Sequence, residues 1–310
     1  MASQIESTTA MSSQPFQVLF QHGALGRLDD GQLLEQFLAG QDASAEAAFQ
    51  SLVDRHGPMV LRICRNVMGD WHDAEEASQA VFLVLARRAA DLRRRESAAS
   101  WLFGVAQRVA GQSKRDASRR RRNEERWGVV NARPVAMMES CDSWEDLYEE
   151  IERLPGKYRD AIVLCHLEGL RHDQAASRLG CPVKTLETRL QRAKARLRER
   201  LIRRGLAPSL GLLAAEHSLG TASAALTPAL RESTVQAAMR LAAGKAVAGL
   251  VPETIITLAE RTSRSMLWAN LRAGAIASLA LSTMIGGLGV SLVLQNQKGH
   301  PDENPVAQAQ

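Results

Sequence analysis

The chain has 310 residues, a net charge of +5 and an isoelectric point near 9.3, which gives room for two or three domains and a mild bias toward polyanionic partners. Aromatic residues are only 4%, and Ala, Leu, Arg and Glu dominate over strand-type runs, so the reading is all-α and excludes a β-rich fold. Cys64, Cys141, Cys165 and Cys181 show no CxxC spacing, which suits free thiols in a reducing compartment better than a disulfide framework.

Residues 1–27 are polar, without a basic leader or an apolar run, and read as a flexible tail rather than a signal peptide. Asp29 to Val67 reads as two helices. Leu33, Leu34, Phe37 and Leu38 form the apolar face of the first, and Gly57-Pro58 marks a bend or a helix start. Asp70 or His72 opens the next helix, DAEEASQAVFLVLARRAA. Its early acids, Asp73, Glu75 and Glu76, suit the positive end of the helix dipole. Val81 to Ala86 is apolar on every side, so the segment is buried all round or offers one face to a partner.

A connector from Arg87 to Arg95 carries five Arg against one Asp. The following helix, capped by Ser97 or Ser100, places Trp101, Leu102, Val105 and Val109 at helical spacing. It then turns basic: Lys114 to Arg126 holds seven cations against three acids. Together residues 28–127 form a first helical domain. Residues 128–142 contain Pro134, lack a sustained period and read as a linker. Glu139 to Glu152 holds seven acids and no Lys or Arg, and Trp144 to Arg153 reads as a short acidic helix ended by Leu154-Pro155. Tyr158, Ala161, Ile162 and Cys165 stripe the helix after it.

Glu168 to Leu201 reads EGLRHDQAASRLGCPVKTLETRLQRAKARLRERL. A helix from about His172 to Leu179 meets a turn at Gly180, which tolerates positive φ. Pro182 fits the first turn of the next helix. Val183, Leu186, Leu190, Ala193, Leu197 and Leu201 recur at steps of three and four, one apolar stripe of a single helix. The other side shows Lys184, Thr185, Glu187, Thr188, Arg189, Gln191 and Arg192, side chains suited to base edges and phosphates. Lys184 to Arg204 has nine Lys/Arg against two Glu, a net +7. These are the requirements of a helix-turn-helix that docks its second helix in the major groove. Residues 143–205 form this second domain.

Residues 206–272 are Ala-rich, with breaks at Pro208, Pro228 and Pro252, and read as short helices such as Pro228 to Gly244. Residues 273–294 are uncharged. At about 1.5 Å rise each they span roughly 33 Å, the thickness of the bilayer core. A transmembrane helix is expected there. Arg261, Arg264 and Arg272 before it keep the bulk of the chain in the cytoplasm, tethered to the inner membrane, with residues 295–310 a short polar tail.

Two basic helical modules in this order resemble the extracytoplasmic-function (ECF) class of bacterial RNA polymerase sigma factors, over about Asp29 to Gly205. DAEEASQAVFLVLAR and SWLFGVAQRVA are similar to the family's region 2, and EGLRHDQAASRLGCPVKTLETRLQRAKARLRERL is similar to its region 4. The long tail resembles a C-terminally extended subgroup of planctomycete-like bacteria. The resemblance implies a factor that binds core RNA polymerase and directs it to the −10 and −35 elements of promoter DNA. It implies polymerase contact through Asp73, Glu75, Glu76 and Gln79. Capture of the opened −10 element falls to the region 2 helix: Trp101, Phe103, Gln107, Arg108, Lys114, Arg115, Arg119, Arg120, Arg121 and Arg122. In region 4 the −35 element is read by Lys184, Thr185, Glu187, Thr188, Arg189 and Arg192. One departure is Arg108, where family members commonly carry Asn. The family also admits an anti-sigma factor as a further partner.

No Gly-rich phosphate loop, HExxH or Gly-x-Ser-x-Gly is present, so neither an enzyme nor a cofactor is expected. His56, His72, His166, His172 and His217 are scattered, and Cys165, His166 and Cys181 match no standard metal spacing. Two other readings stay open on residues alone. One is a DNA-binding regulator using only the helix-turn-helix. The other is a membrane-anchored signalling or scaffold protein whose basic segments bind anionic lipid.

Overall fold

The computed structural model describes residues 28–40, 42–92, 98–126, 135–206 and 226–266. The tail 1–27, most of the Arg-rich connector, the expected membrane span 273–294 and the end 295–310 lie outside them. Among the described residues no helix is long and apolar enough to cross a membrane, and the only extended pairing is an isolated bridge between Ala248 and Val251. The chain divides into a compact unit over Met1–Ser263 and a second unit over Arg264–Gln310.

Helix α1 (Asp30–Ala39) starts at a reciprocal cap: Asp29 Oδ1 accepts from Gln32 N at 2.8 Å, and Gln32 Oε1 accepts from Asp29 N at 2.9 Å. Leu33, Leu34 and Phe37 are buried, whereas Leu38, read as part of the same face, is 49% exposed. Helix α2 (Ala43–Met68) is continuous and carries Pro58 inside it, not at a bend or start. Proline in a helix interior costs roughly 3 kcal/mol. Here Val53, His56, Met59 and Val60 around it are all buried, and each large apolar side chain contributes about 1.5–3 kcal/mol, so tertiary burial outweighs the local penalty. Gly69 ends α2 at φ 74° and donates to Arg65 O at 2.7 Å.

Asp70 caps α3 (Trp71–Arg88), accepting from Asp73 N at 3.1 Å. Residues 77–86 are all buried. Helix α4 (Ala98–Arg126) packs on α2 and α3, and Leu102, Val105 and Val109 are inaccessible. Ser100 is not a cap: it lies inside the first turn and donates to Asp160 Oδ1 at 2.6 Å.

Helix α5 (Val135–Glu152) begins within the segment read as a linker. Ala136, Met137, Met138 and Glu139 are good helix formers, so local propensity favours a helix there. Helix α6 (Gly156–Ile162) continues into a wider π turn over Val163–Leu167, closed by Glu168 N donating to Val163 O at 2.8 Å. Gly169, at φ 74°, breaks the run. Helices α7 (His172–Arg178) and α8 (Val183–Arg203) follow. Pro182 sits one residue before α8, and Gly180 takes the left-handed turn at φ 58°. Leu186, Leu190, Ala193, Leu197 and Leu201 are buried as their spacing predicts, but Val183 is 41% exposed because it lies at the helix mouth. Helix α9 (Pro228–Ala242), capped by Thr227, and α10 (253–266) complete the described chain.

Candidate nucleic-acid and polymerase interfaces

The exposed face of α8 forms the clearest surface. Lys184, Thr185, Thr188, Arg189 and Arg192 line one open groove of about 440 Å³. Lys157, Tyr158 and Pro182 complete it. Two cations lie over the Tyr158 ring, Arg196 at 4.9 Å and Lys157 at 5.2 Å from its centroid. Sequence reasoning missed Lys157 and placed Tyr158 only on an apolar stripe. Glu187 does not line this groove; it faces His172 at 3.6 Å across the turn. Cations and hydroxyls of this kind are donors that phosphate oxygens and base edges can accept from.

The region under α8 is held by a buried carboxylate. Glu150, 1% exposed, takes Arg153 Nη1 at 2.7 Å, Arg204 Nη1 at 2.6 Å and Arg200 Nε at 3.2 Å. Burial pushes its pKa up, but these guanidiniums outweigh it and hold it below the usual range.

The basic helix α4 is divided into two parts. Its stretch up to Lys114 faces the acids of α5. Arg108 Nη1 lies 3.3 Å from Glu152, and Lys114 Nζ lies 3.0 Å from Glu145. Gln107, with its amide turned to satisfy its neighbours, donates to Glu152 Oε2 at 2.5 Å. Phe103, expected to face bases, is fully buried with its ring edge-on to Tyr148, centroids 5.8 Å apart. Trp101 is half-buried. Arg115, Arg119, Arg120 and Arg122 are exposed and Arg121 half-buried, so the second half presents its cations to solvent.

The two helical groups therefore meet in one compact unit. Asn66 Nδ2 donates to Tyr148 Oη at 2.8 Å, and Arg62 donates to the Leu167 carbonyl. At the centre His56, wholly buried, stands between Asp30 Oδ2 at 3.2 Å and Glu168, whose Oε1 pairs with Nδ1. Burial disfavours the imidazolium, but Glu168 and Asp30 outweigh it and raise the pKa from 6.5 to about 9. Burial also pushes the Asp30 carboxyl up, yet His56 and Arg55 hold it well below the usual range. Burial lifts the Cys64 thiol to about 12 and that of Cys165 to about 11, which makes them poor nucleophiles.

On α3, Asp73 and Glu75 are partly exposed and Glu76 is exposed. Gln79 is not: it is 4% exposed and its Nε2 donates to Ser233 Oγ of α9 at 3.0 Å. The apolar segment Val81–Ala86 is buried within the same chain, where α2, α4 and α9 all pack on α3.

Comparison with known proteins matches Sigma-70 region 2 at residues 52–120 and Sigma-70, region 4 at residues 144–197. The two helical groups thus carry matches to the two sigma-70 regions, region 2 first and region 4 second. The chain is 26% identical over 170 residues to the ECF RNA polymerase sigma factor SigE of Mycolicibacterium smegmatis, covering 53% of this chain and 66% of SigE. It is 26% identical to SigD of Mycobacterium bovis, covering 56% of this chain and 87% of SigD. It is 25% identical to SigW of Bacillus subtilis, covering 50% and 89% respectively. A solved structure, that of CnrH in complex with the cytosolic domain of CnrY, shares 26% identity, covers 56% of this chain and 96% of that one, and has a TM-score of 0.28. Over about half of its length the chain is thus similar to ECF RNA polymerase sigma factors, and it carries matches to both sigma-70 regions in order.

Proposed function

We propose that the chain binds core RNA polymerase and directs promoter-specific initiation as a non-catalytic factor. The observation that carries this reading is the pair of sigma-70 regions in order, with the cationic groove of α8 in the second. Lys184, Thr185, Thr188, Arg189 and Arg192, joined by Lys157, hold the −35 duplex. Arg115 and Arg119 to Arg122 hold the backbone near the −10 element. Gln107, Arg108 and Lys114 join them only after α5 moves aside, because Glu145 and Glu152 now occupy Lys114 and Arg108. Asp73, Glu75 and Glu76 contact the polymerase. Residues 28–127 and 143–205 are the two working domains.

Run-off transcription with purified core enzyme on genomic fragments tests this. Promoter-specific products that depend on the chain are expected; duplex binding without any product favours the regulator. Two finer proposals accompany it. Residues 273–294 tether the factor to a membrane, supported by their uncharged length and read by carbonate-resistant membrane fractionation. An anti-sigma partner is read by co-purification from cells not expressing the target genes.

A further inference from the structure

The C-terminal extension occupies the face of α3 to which polymerase contact is assigned above. Ser233 of α9 accepts from Gln79 at 3.0 Å, and Thr254 of α10 reaches Glu76 at 3.5 Å. Farther along α3, Arg87 pairs with Glu260 at 2.8 Å. On α2, Asp54 accepts from Arg231 at 3.1 Å. Between these polar contacts Val235, Ala237, Ala238, Ile255 and Ala259 are buried. We propose that residues 226–263 are a built-in occupant of this docking face, so that the extension and the polymerase compete for α3.

This rests on the sigma-factor reading. The chemistry of the cover suits displacement. The Gln79–Ser233 contact pairs an amide with a hydroxyl, and the Glu76–Thr254 contact is a long one at 3.5 Å, so neither is a strong hold. The flanking ion pairs are exposed: Arg87 and Glu260 at 30% and 41%, Arg231 and Asp54 at 38% and 42%. Solvent screening leaves such pairs little net stabilisation. The buried side of α9 is built from Thr234, Val235, Ala237 and Ala238, with no side chain larger than valine, so it removes little apolar area from water. Covalent attachment compensates, because a tethered segment acts at an effective concentration on the order of millimolar. Asp73 and Glu75, at the start of α3, have no contact with the extension among these and offer an arriving basic surface a first foothold.

The test uses the fluorescently labelled full chain and purified core RNA polymerase. One variant, V235D/A238D, removes the apolar seat of α9. A second, R231E/E260R, breaks only the exposed rim and keeps the fold if the first does not. Circular dichroism checks both. The expected result is polymerase binding about ten-fold tighter or more for the folded variants. In the wild-type complex, amide hydrogens of 228–242 should exchange faster than in the free chain. Equal affinities, with α9 equally protected in the complex, would show the extension to be a permanent buttress and overturn the proposal while the sigma reading stands. No binding by wild type or variants overturns the sigma reading, and the proposal with it.

Discussion

His56 of α2 and Glu168 at the end of α6 pair across the two sigma regions, with the imidazole inaccessible to water. The pairing makes stability depend on pH with a definite sign. A group whose pKa rises from 6.5 to about 9 on folding gives its full contribution below pH 6.5 and loses it as pH climbs through 9. The contribution is on the order of 3 kcal/mol. The urea midpoint should therefore fall between pH 6.5 and 9.5, and H56Q should flatten that slope. An equally steep slope in H56Q would remove His56 as its source. Asp30, depressed on folding, acts at the other end: its contribution is present above the ordinary carboxylate range and lost in acid.

Glu150 gathers three guanidiniums from α5 and the end of α8. E150Q keeps the shape and removes the charge. It should destabilise the chain by about 2 kcal/mol, allowing for the solvent screening of the partly exposed arginines. Because the carboxyl is depressed on folding, the deficit relative to wild type should shrink in acid, where the wild-type group also becomes neutral. Denaturant melts at pH 7 and pH 3 check both statements.

In the α8 groove, each of K184A, R189A and R192A should lower affinity for target duplex, measured with the polymerase-bound protein. A residue that only neutralises phosphate should weaken all sequences alike and reduce the salt slope by about 1. One that reads a base should cost about 1–3 kcal/mol on the target alone. A variant with neither effect has no contact with DNA.

The masking of α4 makes a prediction of opposite sign. E145Q/E152Q removes the carboxylates facing Lys114 and Arg108. The free protein should then bind a single-stranded oligonucleotide more tightly, with a steeper salt dependence, as two more cations reach phosphates. An unchanged slope would mean that those cations stay engaged with α5.

Much of the second region was legible because its determinants are local. Gly180 needed a left-handed turn, and the three-four spacing from Leu186 to Leu201 marked one buried stripe. What escaped depends on distant partners. Gln79 sits at a helical position that sequence alone leaves open to a partner; the group that buries it, Ser233, comes far later in the chain. The cations of α4 looked uniform, yet whether each meets an acid of α5 or water is decided by packing. Pro58 was read by its local rule, which the surrounding core overrode. His56 carried no motif at all; its role appears only where Asp30 and Glu168 converge on it.

The π turn at Val163–Leu167 has a consequence for how the chain tolerates change. A widened turn holds one residue more than an α-helical turn, and one residue is about 100° of rotation around the axis. The angular phase of Leu167 and Glu168, and so their aim at Arg62 and His56, is set by that surplus residue. Substitutions within the turn leave the phase intact. Deletion of a single residue there would swing both groups off their targets while leaving every helix intact, so the joint is keyed by residue count more than by residue type.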